Sequence, residues 1–103
     1  MVKSVSVQAY FSQLPDPREA CKCEHRLLDI VMIAICAVIA NAESWEDIAL
    51  FGQMKQEWLQ QWLALPHGIP SHDTFERVFR KLNPDAFQEC FMQWVQAVFE
   101  VTE

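Results

Sequence analysis

Glycine is almost absent from this chain of 103 residues: Gly52 and Gly68 stand alone, beside five prolines. So few turn formers leave little room for a strand-and-hairpin architecture. Basic residues are scarce too, eight Lys and Arg against fourteen Asp and Glu, for a formal charge of −6. Phosphate neutralisation supplies most nonspecific affinity for nucleic acid, so this balance argues against a strong stand-alone DNA binder. The longest uninterrupted apolar run, Ile30–Ala40, has eleven residues, far short of the ~20 that span a bilayer. Met1 is followed by Val2-Lys3-Ser4-Val5, not by the apolar stretch of a secretory signal. Low-complexity tracts, internal repeats and Gly/Ser linkers are missing. So are a Ser/His/Asp order, a phosphate-cradling glycine loop and a nucleotide fingerprint. These absences predict a cytoplasmic protein with reduced thiols, no membrane partner and no cofactor.

What the chain does have is core material. It is 51% hydrophobic and 12% aromatic, with four Trp and seven Phe, and its apolar residues recur at helical spacing. The expectation is an all-α fold, a compact bundle of five or six helices forming a single domain over residues 1–103. A short helix over Val5–Gln13 ends at Pro15-Asp16-Pro17, and residues 16–26 form a charged loop. Leu27–Ala40, apolar almost all round, is the central buried helix, with Asp29 suited to its positive end. Ser44-Trp45-Glu46-Asp47 caps a helix reaching about Gly52. Another, from about Lys55 to Leu63, sets Trp58, Leu59, Trp62 and Leu63 on one side. Asn83-Pro84-Asp85 opens the last helix, whose buried stripe is Phe87, Cys90, Phe91, Trp94, Val95 and Val98. That helix runs out at Glu103 with neither glycine cap nor trailing proline, the pattern of a chain truncated within a helix.

The most informative segment is Gly68-Ile69-Pro70-Ser71-His72-Asp73-Thr74-Phe75-Glu76-Arg77-Val78-Phe79-Arg80-Lys81-Leu82. Ser71 stands at an N-cap, and Phe75, Val78, Phe79 and Leu82 recur at i, i+3, i+4, i+7. The other face carries His72, Asp73, Glu76, Arg77, Arg80 and Lys81. A short helix docked by aromatics after a tight loop is what a helix-turn-helix reader places in a DNA groove. A solvated amphipathic helix with a Glu76–Arg80 pair has the same pattern. Residues 18–26 add Arg18, Lys22 and Arg26 as candidate phosphate contacts. The segments 18–26 and 71–83 each sum to only +1, on a body where residues 27–66 hold Asp29, Glu43, Glu46, Asp47 and Glu57 against Lys55.

Cys21-Lys22-Cys23-Glu24-His25 crowds potential metal ligands together. Its C-x-C spacing is not the C-x₂₋₄-C of structural zinc sites, and Cys36 and Cys90 lie in apolar stripes as small hydrophobes. No metal site is expected, and the acids Glu43, Glu46 and Asp47 have a sufficient role as cap and first-turn residues. His67 reads as a turn residue. The four tryptophans fall on apolar faces and read as core before base-stacking platforms.

Phe11-Ser12-Gln13-Leu14-Pro15-Asp16-Pro17-Arg18, His25-x-Leu27-Leu28-Asp29-Ile30, Ser44-Trp45-Glu46-Asp47-Ile48 and Gly68-Ile69-Pro70-Ser71-His72-Asp73-Thr74-Phe75-x-Arg77-Val78-Phe79 follow one another in that order. Together they resemble the N-terminal transposase-associated domain of DDE transposases that include the H-repeat-associated proteins of Rhs elements. The resemblance runs from about Phe11 to Val98. It implies a non-catalytic domain that assists binding to element ends, with the catalytic acids in a ribonuclease-H-like domain beyond Glu103. The candidate DNA contacts are then His72, Thr74, Arg77, Arg80 and Lys81, with Arg18, Lys22 and Arg26. The competing reading is a protein-interaction or dimerisation module that meets the transposase catalytic domain or another protomer. Its support is the acidic charge and the aromatic content.

Overall fold

The computed structural model describes residues 7–11, 14–18 and 25–102. Among these residues the chain is all-α, with no strand. Six helices follow in order: α1 (Val7–Phe11), α2 (Leu27–Ile39), α3 (Trp45–Met54), α4 (Gln56–Leu59), α5 (His72–Lys81) and α6 (Pro84–Thr102). They fall into two compact units, one of Met1–Pro17 with Leu82–Glu103 and one of Arg18–Lys81.

The larger unit is built on α2. Ile30, Val31, Met32, Ile33, Ala34 and Ala37 are buried along it, and α3 packs against it and against α5. A run this apolar can bury most of its circumference only where other helices cover it. The cover ends before the helix does, since Val38 and Ile39 are exposed. Ala40 caps α2, and Asn41 follows in a left-handed conformation (φ 77°). Asn is among the few non-glycine residues that tolerate that region.

The expected caps are in place. The Ser44 hydroxyl accepts from the Asp47 amide at 3.0 Å, and the Asp47 carboxylate accepts from the Glu43 amide at 3.1 Å. Ser71 accepts from the Thr74 amide at 3.3 Å at the start of α5. Asn83 accepts from Asp85 and Ala86 at 2.9 and 3.2 Å around Pro84, the first residue of α6. Each cap satisfies amides that the first turn leaves without a partner.

The helix expected over Lys55–Leu63 is shorter. Only Gln56–Leu59 is α-helical, and Trp62 then bonds back three residues to the Leu59 carbonyl, a tightened last turn. Leu59, Leu63 and Leu65 are all buried. Leu65 would lie about 200° around a continued helix from Leu63, so both can face inward only if the helix stops. Trp58 is correspondingly exposed, and Trp45, Trp62 and Trp94 are only half-buried, so none of the four is a full core residue. Trp58 and Trp62 meet edge to face at 5.4 Å.

In the smaller unit α1 packs on α6. Phe11 is buried and meets Phe87 at 5.6 Å; Phe87 stacks on Phe91 at 6.5 Å, and Phe91 meets Trp94 at 5.8 Å. The expected α6 stripe is its less exposed side, with Gln88, Glu89, Met92, Gln93 and Gln96 outward.

Candidate nucleic-acid interface

α5 is held from below and from its N-terminal end. Phe75 and Val78 are buried, while Phe79 is half-buried against Trp45 of α3 at 5.7 Å. The approach is no tight turn: residues 60–71 connect α4 to α5, and the helix on which α5 packs is α3. That longer connection is pinned at several points. Asp29, in the first turn of α2, is 1% exposed and accepts from the backbone amide of Leu65 at 3.2 Å. Arg26 holds the same carboxylate with two bonds, 2.8 and 3.3 Å. This pairing pushes the Arg26 guanidinium pKa up, chiefly through the hydrogen bond to Asp29.

Leu65 itself adopts φ 44° and Gly68 φ 78°. A leucine in the left-handed region is strained, and here the Asp29 bond and burial of the side chain hold it there. At Gly52 of α3 a Cβ would lie 2.7 Å from the Ile69 side chain, so glycine lets the connection sit directly on the helix. Pro70 is fully buried immediately before the Ser71 cap.

The exposed side of α5 then carries the residues singled out from the sequence. Arg77 donates to the Asp73 carbonyl at 3.4 Å and to the Thr74 hydroxyl at 3.3 Å, both neutral acceptors. The Thr74 hydroxyl also meets Ser71 at 3.2 Å. Arg80 pairs with Glu76, which cancels its charge locally. His72 lies 3.3 Å from the Asp73 carboxylate. Lys81 is exposed at the C-terminal end.

Arg18 and Arg26 are tied into their own segment. Arg18 donates to the His25 carbonyl at 2.6 Å, and Arg26 serves Asp29. Both belong to the unit that contains α5. The His25 and His67 rings meet edge to face at 6.3 Å. Lys22, Cys21, Cys23 and Glu24 lie outside the described residues.

The family model described as "DDE_Tnp_1-associated" matches residues 8–95. The chain belongs to this transposase-associated family. It is 49% identical over 86 residues to an "Uncharacterized protein in dhlA 3'region" of Xanthobacter autotrophicus, across 82% of this chain and 29% of that protein. It is 45% identical over 87 residues to the "H repeat-associated putative transposase YhhI" of Escherichia coli (strain K12), across 84% of this chain and 23% of that protein. It is also 48% identical over 69 residues to the "Inactive transposase YbfQ" of the same strain, covering 67% of this chain and 82% of that one. The transposase-associated chain thus spans about a quarter of the length of the first two relatives. No solved structure matches it.

Within this family member, no group of three or more metal-ligating side chains forms among the described residues. The thiols of Cys36 and Cys90 are free. Burial pushes both pKa values up, with a further push from Glu89 on Cys90. No helix among the described residues is long and apolar enough to cross a membrane. The residue that sequence reasoning undervalued is Asp29, read as a helix-dipole acid and found as the anchor of the loop before α5. An acid inside an apolar run, three residues after an arginine, is the signal that could have marked it.

Proposed function

We propose that this chain is a DNA-recognition domain of a DDE-type transposase, assisting the binding of element ends while strand transfer takes place in another part of the protein. The observation that carries the reading is Arg77. It stands on the exposed side of a short, rigidly mounted helix, with an intact positive charge bonded only to neutral oxygens. Thr74, His72 and Lys81 lie on the same helix, and membership of a transposase-associated family supports the context. Arg80 ranks below Arg77 because Glu76 competes for it. Arg18 and Arg26 rank below both, since each already holds the segment that leads into α2. Catalysis belongs to the remainder of the longer transposase relatives, whose length this chain covers only in part.

Binding to element-end duplex DNA is the test, measured at two salt concentrations in a protein that includes the catalytic part. Arg77→Ala with Lys81→Ala should weaken binding and reduce the slope of log affinity against log salt by about 2, one for each lost phosphate contact. The helical circular dichroism should not change. Binding that survives the double substitution with its salt slope intact would reduce α5 to an ordinary surface helix.

A further inference from the structure

The larger unit also leaves large apolar side chains uncovered away from α5. Where α2 outlasts its cover, Val38 and Ile39 are 57% and 71% exposed; on α3 Leu50 and Met54 are 54% and 72% exposed; on α4 Trp58 is 47% exposed. Leu50, Met54 and Trp58 line adjoining depressions. A depression of about 220 Å³ lies between α2 and α3, lined by Ala37, Ala40, Leu50, Phe51 and Met54. A second, of about 300 Å³, shares Ala42 with it and reaches Val38, Trp45 and Ile48. A third, of about 320 Å³, shares Phe51 and ends at Trp58. The first and third adjoin at Phe51 as a shallow apolar trough along the Asp47, Leu50, Phe51 and Met54 face of α3, whose ten residues run about 15 Å. The second opens on another side of that helix, at Trp45 and Ile48. Contiguous apolar surface of this kind marks an interaction site more often than isolated exposed side chains do.

Charge decides what lies in it. Asp47 lines the first depression and Glu43 the second. Glu46 stands one turn before Leu50 on α3, and Glu57 precedes Trp58; all four acids are exposed. Lys55, beside the third depression, is the one basic residue in this stretch. A second copy seated face to face would bring acid onto acid around an apolar centre, which opposes association. A trough between two helices accepts a third helix by its apolar ridge.

We propose that this trough docks an amphipathic helix of a partner protein, with Leu, Ile or Met on its inner side and Lys or Arg along its flanks. The trough is separate from the outward residues of α5, so the proposal stands whether or not α5 binds DNA. Three fluorescent peptides of roughly 18 residues, five helical turns, test it. One is an amphipathic Leu/Lys helix, one has the same composition scrambled out of helical period, and one carries Glu in place of Lys.

The Leu/Lys helix should bind saturably, with the scrambled and Leu/Glu peptides at least tenfold weaker by anisotropy. Leu50→Ser with Met54→Ser should lower that affinity at least tenfold while leaving circular dichroism and the melting temperature unchanged, because both side chains are exposed. Arg77→Ala with Lys81→Ala should leave it intact. Equal binding of the scrambled peptide would reduce the effect to net charge and overturn the proposal. Binding indifferent to the Leu50/Met54 substitution would overturn it too. So would a sedimenting dimer of the unaltered chain that the same substitution makes monomeric, because the trough would then be a self-interface.

Discussion

Asp29 is the residue on which the loop before α5 depends, and its two partners predict different losses. Asp29→Ala leaves the buried Leu65 amide without an acceptor, which costs about 1–3 kcal/mol. Arg26→Ala instead leaves the Asp29 carboxylate buried with the Leu65 amide but without a counter-charge. That costs about 3 kcal/mol, the lower end of the range for breaking a buried pair, because Arg26 is itself half in solvent. Denaturant midpoints should therefore place Arg26→Ala below Asp29→Ala, and a double substitution should be less damaging than the sum. If the single losses come in the opposite order, water reaches the carboxylate and the site is not dry. The thiols add a pH dependence with a definite sign. Folding raises the Cys36 pKa by burial, so the folded chain holds its proton at a pH where the unfolded chain has released it. This contribution is full below about pH 9, the ordinary thiol value, and is lost as pH rises above it. Cys36→Ala should flatten the alkaline decline in unfolding free energy, which titration of stability from pH 7 to pH 10 would read.

The elements were largely legible because their ends carry local chemistry. Ser44, Ser71 and Asn83 each cap the helix their spacing predicts, and Ser44→Ala should cost about 1 kcal/mol in thermal or chemical unfolding. The α5 stripe was legible in position but not in depth. Phe75 is wholly buried while Phe79 is half-buried beside Trp45, a difference set by where α3 lies and invisible to a period of 3.6. Phe75→Ala should accordingly cost about 3–5 kcal/mol and Phe79→Ala less, a ranking that denaturant titration of the two variants checks. α4 was overextended for a related reason. Trp58, Leu59, Trp62 and Leu63 do share a helical face, but burying Leu65 as well requires the chain to leave the helix, and that demand comes from tertiary structure. Gly52 is the converse case, a glycine inside a helix whose purpose shows only once Ile69 is seen against it. Gly52→Ala drives a methyl into that branched side chain and should cost about 1–3 kcal/mol in spite of alanine's better helix propensity. A stabilised variant would mean that Ile69 yields freely.

At the scale of the whole molecule the governing fact is a basic helix on an acidic chain. The net charge is −6, and α5 contributes Arg77, Arg80 and Lys81 against Asp73 and Glu76. If α5 contacts DNA, the acids of residues 43–57 act on the approaching phosphates through solvent, as a field and not as contacts. Such a field reaches about 30 Å at 0.01 M salt and about 10 Å at 0.1 M. Removing it therefore strengthens DNA binding only where screening is weak. Glu43→Gln, Glu46→Gln and Glu57→Gln combined should tighten binding several-fold at the lowest salt and change it little at 0.5 M. The same triple variant should weaken the Leu/Lys peptide, since the flanks of that helix face the lost carboxylates. A general field gives the same opposite signs but loses both at 0.5 M salt. A peptide loss that persists there while the DNA gain vanishes is what distinguishes direct contacts in the trough from a field acting at α5. Were the gain in DNA affinity to persist undiminished at 0.5 M salt, the acids would be touching DNA or altering the fold, and the division of labour between α5 and the α2–α4 trough would fall.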